Sequence, residues 1–394
     1  MTDRPTGVSV VIPTLGRPSL STLLAALAGA ASPGPVPAGA ASPGPVPVGA
    51  ASPGPVPVGA AASRRIDGRA GPPGLAVEIL LVDDRREPGS EMPVPAGLAA
   101  CTTVLRGRSA GPAAARNTGW RAAGQEWVAF LDDDVHPDPD WWYRLVEDLT
   151  VGPAVGGVQG RLRVPLPAGR RPTDWERVTA GLADGDWITA DMAYRRSALA
   201  AVGGFDERFP RAFREDAELA YRVRAAGWSL RRGGRAVTHP VRPESRWVSI
   251  RTQRGNADDA LLRRLYGPRW RDLLDVPPGR RRRHALVTAA AAAALGCAAI
   301  ADLTGRRARR QLPGPGRRAW WLAGAIAAAA WAAGTAEFAA ARIGPGPRTP
   351  DEVTTMVLSS AAIPSVATVC WWLGWLRWRG ARPLPGRPPS GQRR

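Results

Sequence analysis

Lysine is missing from this chain altogether: all 53 basic residues are arginine, set against 34 acidic ones for a net charge of +19. With 45 glycines, 40 prolines and abundant alanine, that usage first reflects a GC-rich coding sequence. Cysteine is almost missing too. Cys101, Cys297 and Cys370 are too few and too scattered for a disulfide framework or a zinc site, and they fit a reduced compartment. No apolar signal-peptide core follows Met1; the chain passes almost directly into a strand-like run, so its first domain is expected on the side where it is made. A pI near 11.4 is compatible with nucleic-acid binding. However, the arginines concentrate from Arg242 onward and flank apolar segments, which points to an anionic membrane surface and to no nucleic-acid partner.

What is present falls into an ordered first part and an apolar last part. Val8–Ile12 and Val77–Val82 read as buried strands, Thr102–Leu105 and Trp127–Leu131 as two more, with helical stretches at 19–28 and from Gly111. Between the first two strands, a ten-residue Ala-Ser-Pro-Gly-Pro-Val-Pro unit recurs three times over 31–60. So much proline and glycine cannot bury a core, and 31–74 is expected to be a disordered surface insertion. Strands alternating with helices, with polar residues at the strand ends, predict an α/β fold with a mostly parallel, mixed sheet whose ligand sits outside those ends.

The domain is expected to occupy 1–240, followed by a basic interfacial linker at 241–283, apolar helices over 284–378 and a disordered basic tail at 379–394. Segments 319–341 and 353–376 are long enough to cross a bilayer core of about 30 Å. Trp320 and Trp321 open one, while Trp371, Trp372, Trp375 and Trp378 close the other, and six arginines between Arg306 and Arg318 flank the first. That pattern predicts a membrane hairpin with both charged ends on the inner side. Residues 285–301 fit poorly as a third span and are expected to be interfacial or re-entrant.

The run Phe130-Leu131-Asp132-Asp133-Asp134 carries the strongest chemical signal. Three carboxylates emerging together from a strand end need a positive partner, and hard oxygen ligands at this spacing suit Mg²⁺ or Mn²⁺ holding a nucleotide diphosphate. Taken in order, Val8-Ser-Val-Val-Ile-Pro-Thr14, Leu-Val-Asp-Asp84, Ala-Arg-Asn117, Asp132–Asp134, Gly-Gly-Phe-Asp206 and Arg-Glu-Asp216 give a chain that resembles the family 2 glycosyltransferases over about residues 7–240. The resemblance implies a GT-A fold and inverting transfer of a sugar from a UDP-, GDP- or dTDP-sugar.

Direct displacement at a sugar carbon needs a stabilised leaving diphosphate, a deprotonated acceptor hydroxyl and their alignment. Asp132 and Asp134 are the expected metal carriers, with Asp133 meeting the ribose or sugar. Pro13, Thr14, Asp83 and Asp84 are expected at the base and ribose, and Arg116 either at the diphosphate or holding the acidic site together. Asp216, at the start of a helix whose dipole keeps it ionised, is the expected general base. Glu218 and Arg222, four apart on that helix, read as a stabilising pair. By resemblance, Trp187 and Asp191 belong to an acceptor-side segment, Glu215 is an acceptor-binding candidate, and His239 matches a late histidine that completes the metal shell.

The leading expectation is a glycosyltransferase attached to the cell membrane, its catalytic domain facing the cytoplasm, acting on a lipid-linked or envelope glycan. Two other readings compete. A sugar-phosphate nucleotidyltransferase needs a glycine-rich basic loop after the first strand, which Pro13–Pro18 matches poorly. A non-catalytic basic membrane scaffold needs arginine interleaved with aromatics on the folded domain, whereas these cluster at the apolar segments.

Overall fold

A computed structural model describes residues 4–30, 72, 74–87, 89, 91–308 and 316–384. The repeat insertion therefore lies almost wholly outside the described residues, as do 385–394 of the basic tail. The chain divides into two compact units. One comprises Met1–Pro165, Ala180–Pro240 and Leu384–Arg394; the other comprises Leu166–Thr179 and Val241–Pro383.

The first unit is built on strands β1 (Gly7–Thr14), β2 (Ala76–Asp83), β3 (Thr102–Arg106), β4 (Trp127–Leu131), β5 (His136–Pro137), β6 (Val155–Arg163), β7 (Asp191–Arg195) and β8 (Ser229–Thr238). They form one mixed sheet in the order β3-β2-β1-β4-β7-β6-β8-β5. β1 runs parallel to both β2 and β4, so Thr14 stands level with Asp83, and Val11 with Phe130. β7 is antiparallel to β4 and brings Asp191 opposite Leu131. The short β5 pairs with the far end of β8, His136 against Thr238, which folds the end of the acidic run back toward His239.

Helices α1 (Ser19–Ala30), α2 (Ala96–Ala99), α3 (Pro112–Ala122) and α4 (Trp141–Leu149) connect the first strands. α5 (Asp174–Ala180) lies mainly in the second unit; α6 (Arg196–Val202) and α7 (Glu215–Ala225) return to the first. The two faces of the sheet follow from the two-residue period of its strands. Val8, Val10 and Ile12 pack with Leu20, Leu23 and Leu27 of α1 and Trp141 of α4. Val11, Phe130 and Tyr194 point the other way, into a second core with Ala115 of α3 and Leu219 of α7. Gly119 lets α3 lie close on the sheet, since a Cβ there would sit 2.2 Å from Val11 Cγ1. Gly119→Ala is therefore expected to cost about 1–3 kcal/mol of stability through overpacking, read as a lowered urea midpoint.

The second unit adds α8 (Val248–Arg251), a 3₁₀ turn at Thr252–Gly255, α9 (Asn256–Tyr266) and α10 (Trp270–Leu273). Three 28-residue helices follow: α11 (Arg281–Ala308), α12 (Gly316–Ile343) and α13 (Pro350–Arg377). All three are long and apolar enough to cross a membrane. Residues 285–301, expected to be interfacial or re-entrant, sit inside one continuous helix, because alanine sustains the helix without a break.

The hairpin partner also differs from expectation. α11 pairs antiparallel with α12: Gly324 meets Cys297, Gly334 meets Val287, and Glu337 takes Arg280 and Arg283. Small residues at the crossing allow the two backbones to approach. α13 touches the start of α11, through Thr288–Thr368 at 3.2 Å and Arg281 over the Trp371 ring. Its Gly374 lies against Ala257 of α9. Trp320 and Trp321 consequently lie at the end of the α11–α12 pair remote from Trp371, so the tryptophans mark opposite ends where a single belt was expected. α11 and α12 bury only 6% and 11% of their apolar windows, against 39% for α13, which leaves the first two as the bare hairpin.

Candidate active site

The C-terminal ends of β1, β2 and β4 deliver Thr14, Asp83 and the acidic run to one edge of the sheet, where open α/β sheets take their ligands. Arg116, on α3 and only 2% exposed, organises this edge. Its Nη2 donates to Asp132 Oδ1 and its Nη1 to Glu215 Oε1, both at 2.8 Å. One guanidinium thus ties the acidic run to the first residue of α7. Burial alone would weaken the cation, but Asp132 and Glu215 outweigh it and hold Arg116 firmly charged.

Glu215 is buried, with Oε2 lacking a hydrogen-bond partner among the described residues. Its pKa is pushed up to about 7, by burial first and by the Asp216 carboxylate next, against the pull of Arg116. A carboxyl raised in this way takes up a proton on folding between the ordinary carboxyl range and about 7. Stability should therefore fall as pH rises through that window and level off above it. Urea midpoints at pH 5 and pH 8 check this: the decline should shrink in Glu215→Gln, and an equal decline in both proteins would assign it elsewhere.

Asp216, partly buried in the first turn of α7, has its own pKa raised. Desolvation is the main cause; the Ala217 amide and the Arg116 and Arg214 charges oppose it, and Asp132 adds to it. Burial, more than the helix dipole invoked from sequence, sets its state and makes it a stronger base than an exposed aspartate. Beside it lies a residue that the sequence did not single out as a site residue. The Tyr194 hydroxyl is buried without a partner among the described residues, and the Asp216 charge joins burial in raising its pKa.

Several expected contacts are taken up by the protein itself. Asp133 is 2% exposed and accepts from Thr14 Oγ1 and Arg17 Nη1, both at 2.7 Å, and from the Leu15 amide. It is the joint that holds the loop after β1; Pro13, without an amide hydrogen, is the last residue but one of that strand. Asp83 is bound by Arg85 Nε and Nη2 at 2.9 Å, with Arg106 at 3.5 Å. Burial raises its pKa, but these arginines prevail and hold it below the ordinary value. Asp84 caps the loop before α3, accepting from the Ser109 and Gly111 amides at 2.7 and 3.2 Å.

On the acceptor side, Asp191 is enclosed, with Arg235 Nε at 2.8 Å on one oxygen and Trp141 Nε1 at 2.9 Å on the other. A buried, paired carboxylate of this kind organises the core. Trp187 adopts a positive φ of 64° and packs against the second core, half-buried. Glu218 and Arg222 do form the expected pair, at 2.7–2.8 Å, and Arg222 also holds the Val202 and Gly204 carbonyls. Asn117 clamps Phe205 by both its carbonyl and its amide at 2.9 Å, which fixes the approach to α7.

For a cation, the structure offers a carboxylate and an imidazole side by side. His239 Nδ1 lies 3.1 Å from the Pro240 carbonyl; with the proton placed there, the Nε2 lone pair faces Asp134 Oδ1 at 3.5 Å. That pair would suit one side of a hard divalent ion. Among the described residues, no group of three His, Cys, Asp or Glu side chains has metal-holding spacing, and Asp132 is turned to Arg116.

An open mixed sheet that presents carboxylates and a buried arginine at its parallel strand ends, and that leads into a carboxylate-headed helix, is a GT-A type α/β arrangement. Residues 64–200 match the profile of glycosyl transferase family 2. The chain is 32% identical over 221 residues to the pre-mycofactocin glycosyltransferase of Mycobacterium tuberculosis, in strains CDC 1551 and H37Rv. The alignment covers 52% of this chain and 46% of the relative, so the chain spans about half the length of the curated relatives it matches. Among solved structures, a mannosyltransferase from Pyrobaculum calidifontis with GDP-Man and Mn²⁺ is 15% identical, covering 96% of this chain and 89% of that one with a TM-score of 0.43. Glucosyl-3-phosphoglycerate synthase from Mycobacterium tuberculosis, with Mn²⁺, UDP and glucosyl-3-phosphoglycerate, is 16% identical, covering 70% and 82% with a TM-score of 0.38.

Proposed function

We propose that the chain is an inverting, membrane-attached glycosyltransferase that moves a sugar from a nucleotide-sugar to a hydroxyl of a lipid-linked or envelope glycan, with its catalytic unit on the cytoplasmic side. The observation that carries this reading is the chain of contacts Asp132–Arg116–Glu215, which places Asp216 beside the acidic strand end.

In this mechanism Asp216 accepts the acceptor's proton as the oxygen attacks, and its raised pKa suits that task. Arg116, held by two carboxylates, gives the donor diphosphate a fixed positive charge. Asp133 and Asp84 position the loops that meet the nucleotide; Thr14 and Asp83 stand at the same edge. Asp134 and His239 are the residues that would hold Mg²⁺ or Mn²⁺; Asp132, expected beside them, is bound to Arg116. When bound, such an ion neutralises charge developing on the departing diphosphate.

The test incubates the full chain, purified in detergent, with UDP-, GDP- and dTDP-sugars and Mn²⁺, and reads release of nucleoside diphosphate. One donor class should give release that EDTA abolishes and added Mn²⁺ restores. Acceptors offered alongside should include polyprenyl-phosphate-linked glycans and, because the curated relative is named for it, pre-mycofactocin. Release with no donor under any condition would overturn the reading.

A further inference from the structure

The second unit holds a feature that sugar transfer does not use: a cavity of about 490 Å³ at the start of α11. Arg263 of α9, Arg271 of α10 and the run Arg280–Arg283 line it, and Asp259 is the one acidic side chain among its described lining residues. Arg271 is engaged by Asp259 and the Pro277 carbonyl, while Arg280 and Arg283 share Glu337. Arg263, Arg281 and Arg282 have no carboxylate at ion-pairing distance among the described residues, and Arg281 lies 4.7 Å from the Trp371 ring centre. Three guanidinium groups in one concavity repel one another. An anion that enters removes that repulsion, and the planar guanidinium fork matches phosphate oxygens.

Position in the helical unit narrows the source of that anion. The apolar run of α11 begins at Ala285, with only His284 between it and the arginines, and Leu286 is 70% exposed. Trp270 and Trp371 line the same cavity. Arginine and tryptophan together at the first turn of a bare apolar hairpin mark the level of lipid headgroups. We propose that this cavity binds the phosphate of an anionic lipid headgroup. This assignment does not rest on the sugar-transfer reading.

The full chain in detergent micelles provides the test, with bound lipid counted by native mass spectrometry. Phosphatidylglycerol is compared with phosphatidylcholine, inorganic phosphate and pyrophosphate. The wild type should retain phosphatidylglycerol selectively. Arg263→Gln/Arg282→Gln should weaken that retention about 30-fold, at the usual gain per arginine beside an anionic lipid surface. Arg282→Gln alone, at an exposed position, guards against misfolding and should weaken it by a smaller factor. Equal retention of phosphatidylcholine, unchanged retention in both variants, or displacement of the lipid by equimolar phosphate or pyrophosphate would each overturn the proposal.

Discussion

Asp216→Asn is expected to lower turnover by about 10²–10⁴-fold, the range that a positioned general base supplies. Asparagine keeps the shape and the contact with the Ala217 amide but cannot accept a proton from an attacking hydroxyl. Donor binding should change little, because Arg116, Asp132 and the strand-end residues remain. Isothermal titration with the donor, set beside rates of nucleoside diphosphate release, separates the two effects. A fall in affinity that matches the fall in rate would make Asp216 a structural residue, and its place in the first turn of α7 a capping one.

Arg116→Met should instead strike stability. Arg116 and Glu215 are each 2% exposed, so removing the cation leaves a buried carboxylate beside Asp216 and frees Asp132. Breaking a buried pair from one side costs about 3–5 kcal/mol. The double variant Arg116→Met/Glu215→Gln should recover part of that loss, since no uncompensated charge stays behind. Denaturant unfolding of the wild type, both single variants and the double variant measures the coupling. Additive losses would show that the two side chains act independently.

The strands of the catalytic unit were legible because β-branched runs such as Val8–Ile12 and Val77–Val82 carry their own signature. The acidic run at Asp132 was legible as an unneutralised cluster. Arg116 was legible as a candidate to hold that cluster, but its second partner was not. Arg116 and Glu215 are 99 residues apart, and neither spacing nor composition reveals a contact that only the packing of α3 against α7 creates. Asp191 shows the same limit, because its partner Arg235 arrives from β8, 44 residues on. Local chemistry is written locally; pairing across the sheet is not. The helical hairpin shows a further limit. Alanine-rich segments such as 285–301 lack the strong periodicity that would have assigned α11 its partner, and Gly324 and Gly334 in α12 gave no cue until Cys297 and Val287 were seen beside them.

The length of that hairpin has a consequence of its own. Twenty-eight residues rise about 42 Å, whereas a hydrocarbon layer measures about 30 Å. In a bilayer, a pair that long would lean or leave its arginine-bearing ends among the headgroups. Its inclination then varies with the thickness of the surrounding lipid, and longer acyl chains stand it more upright.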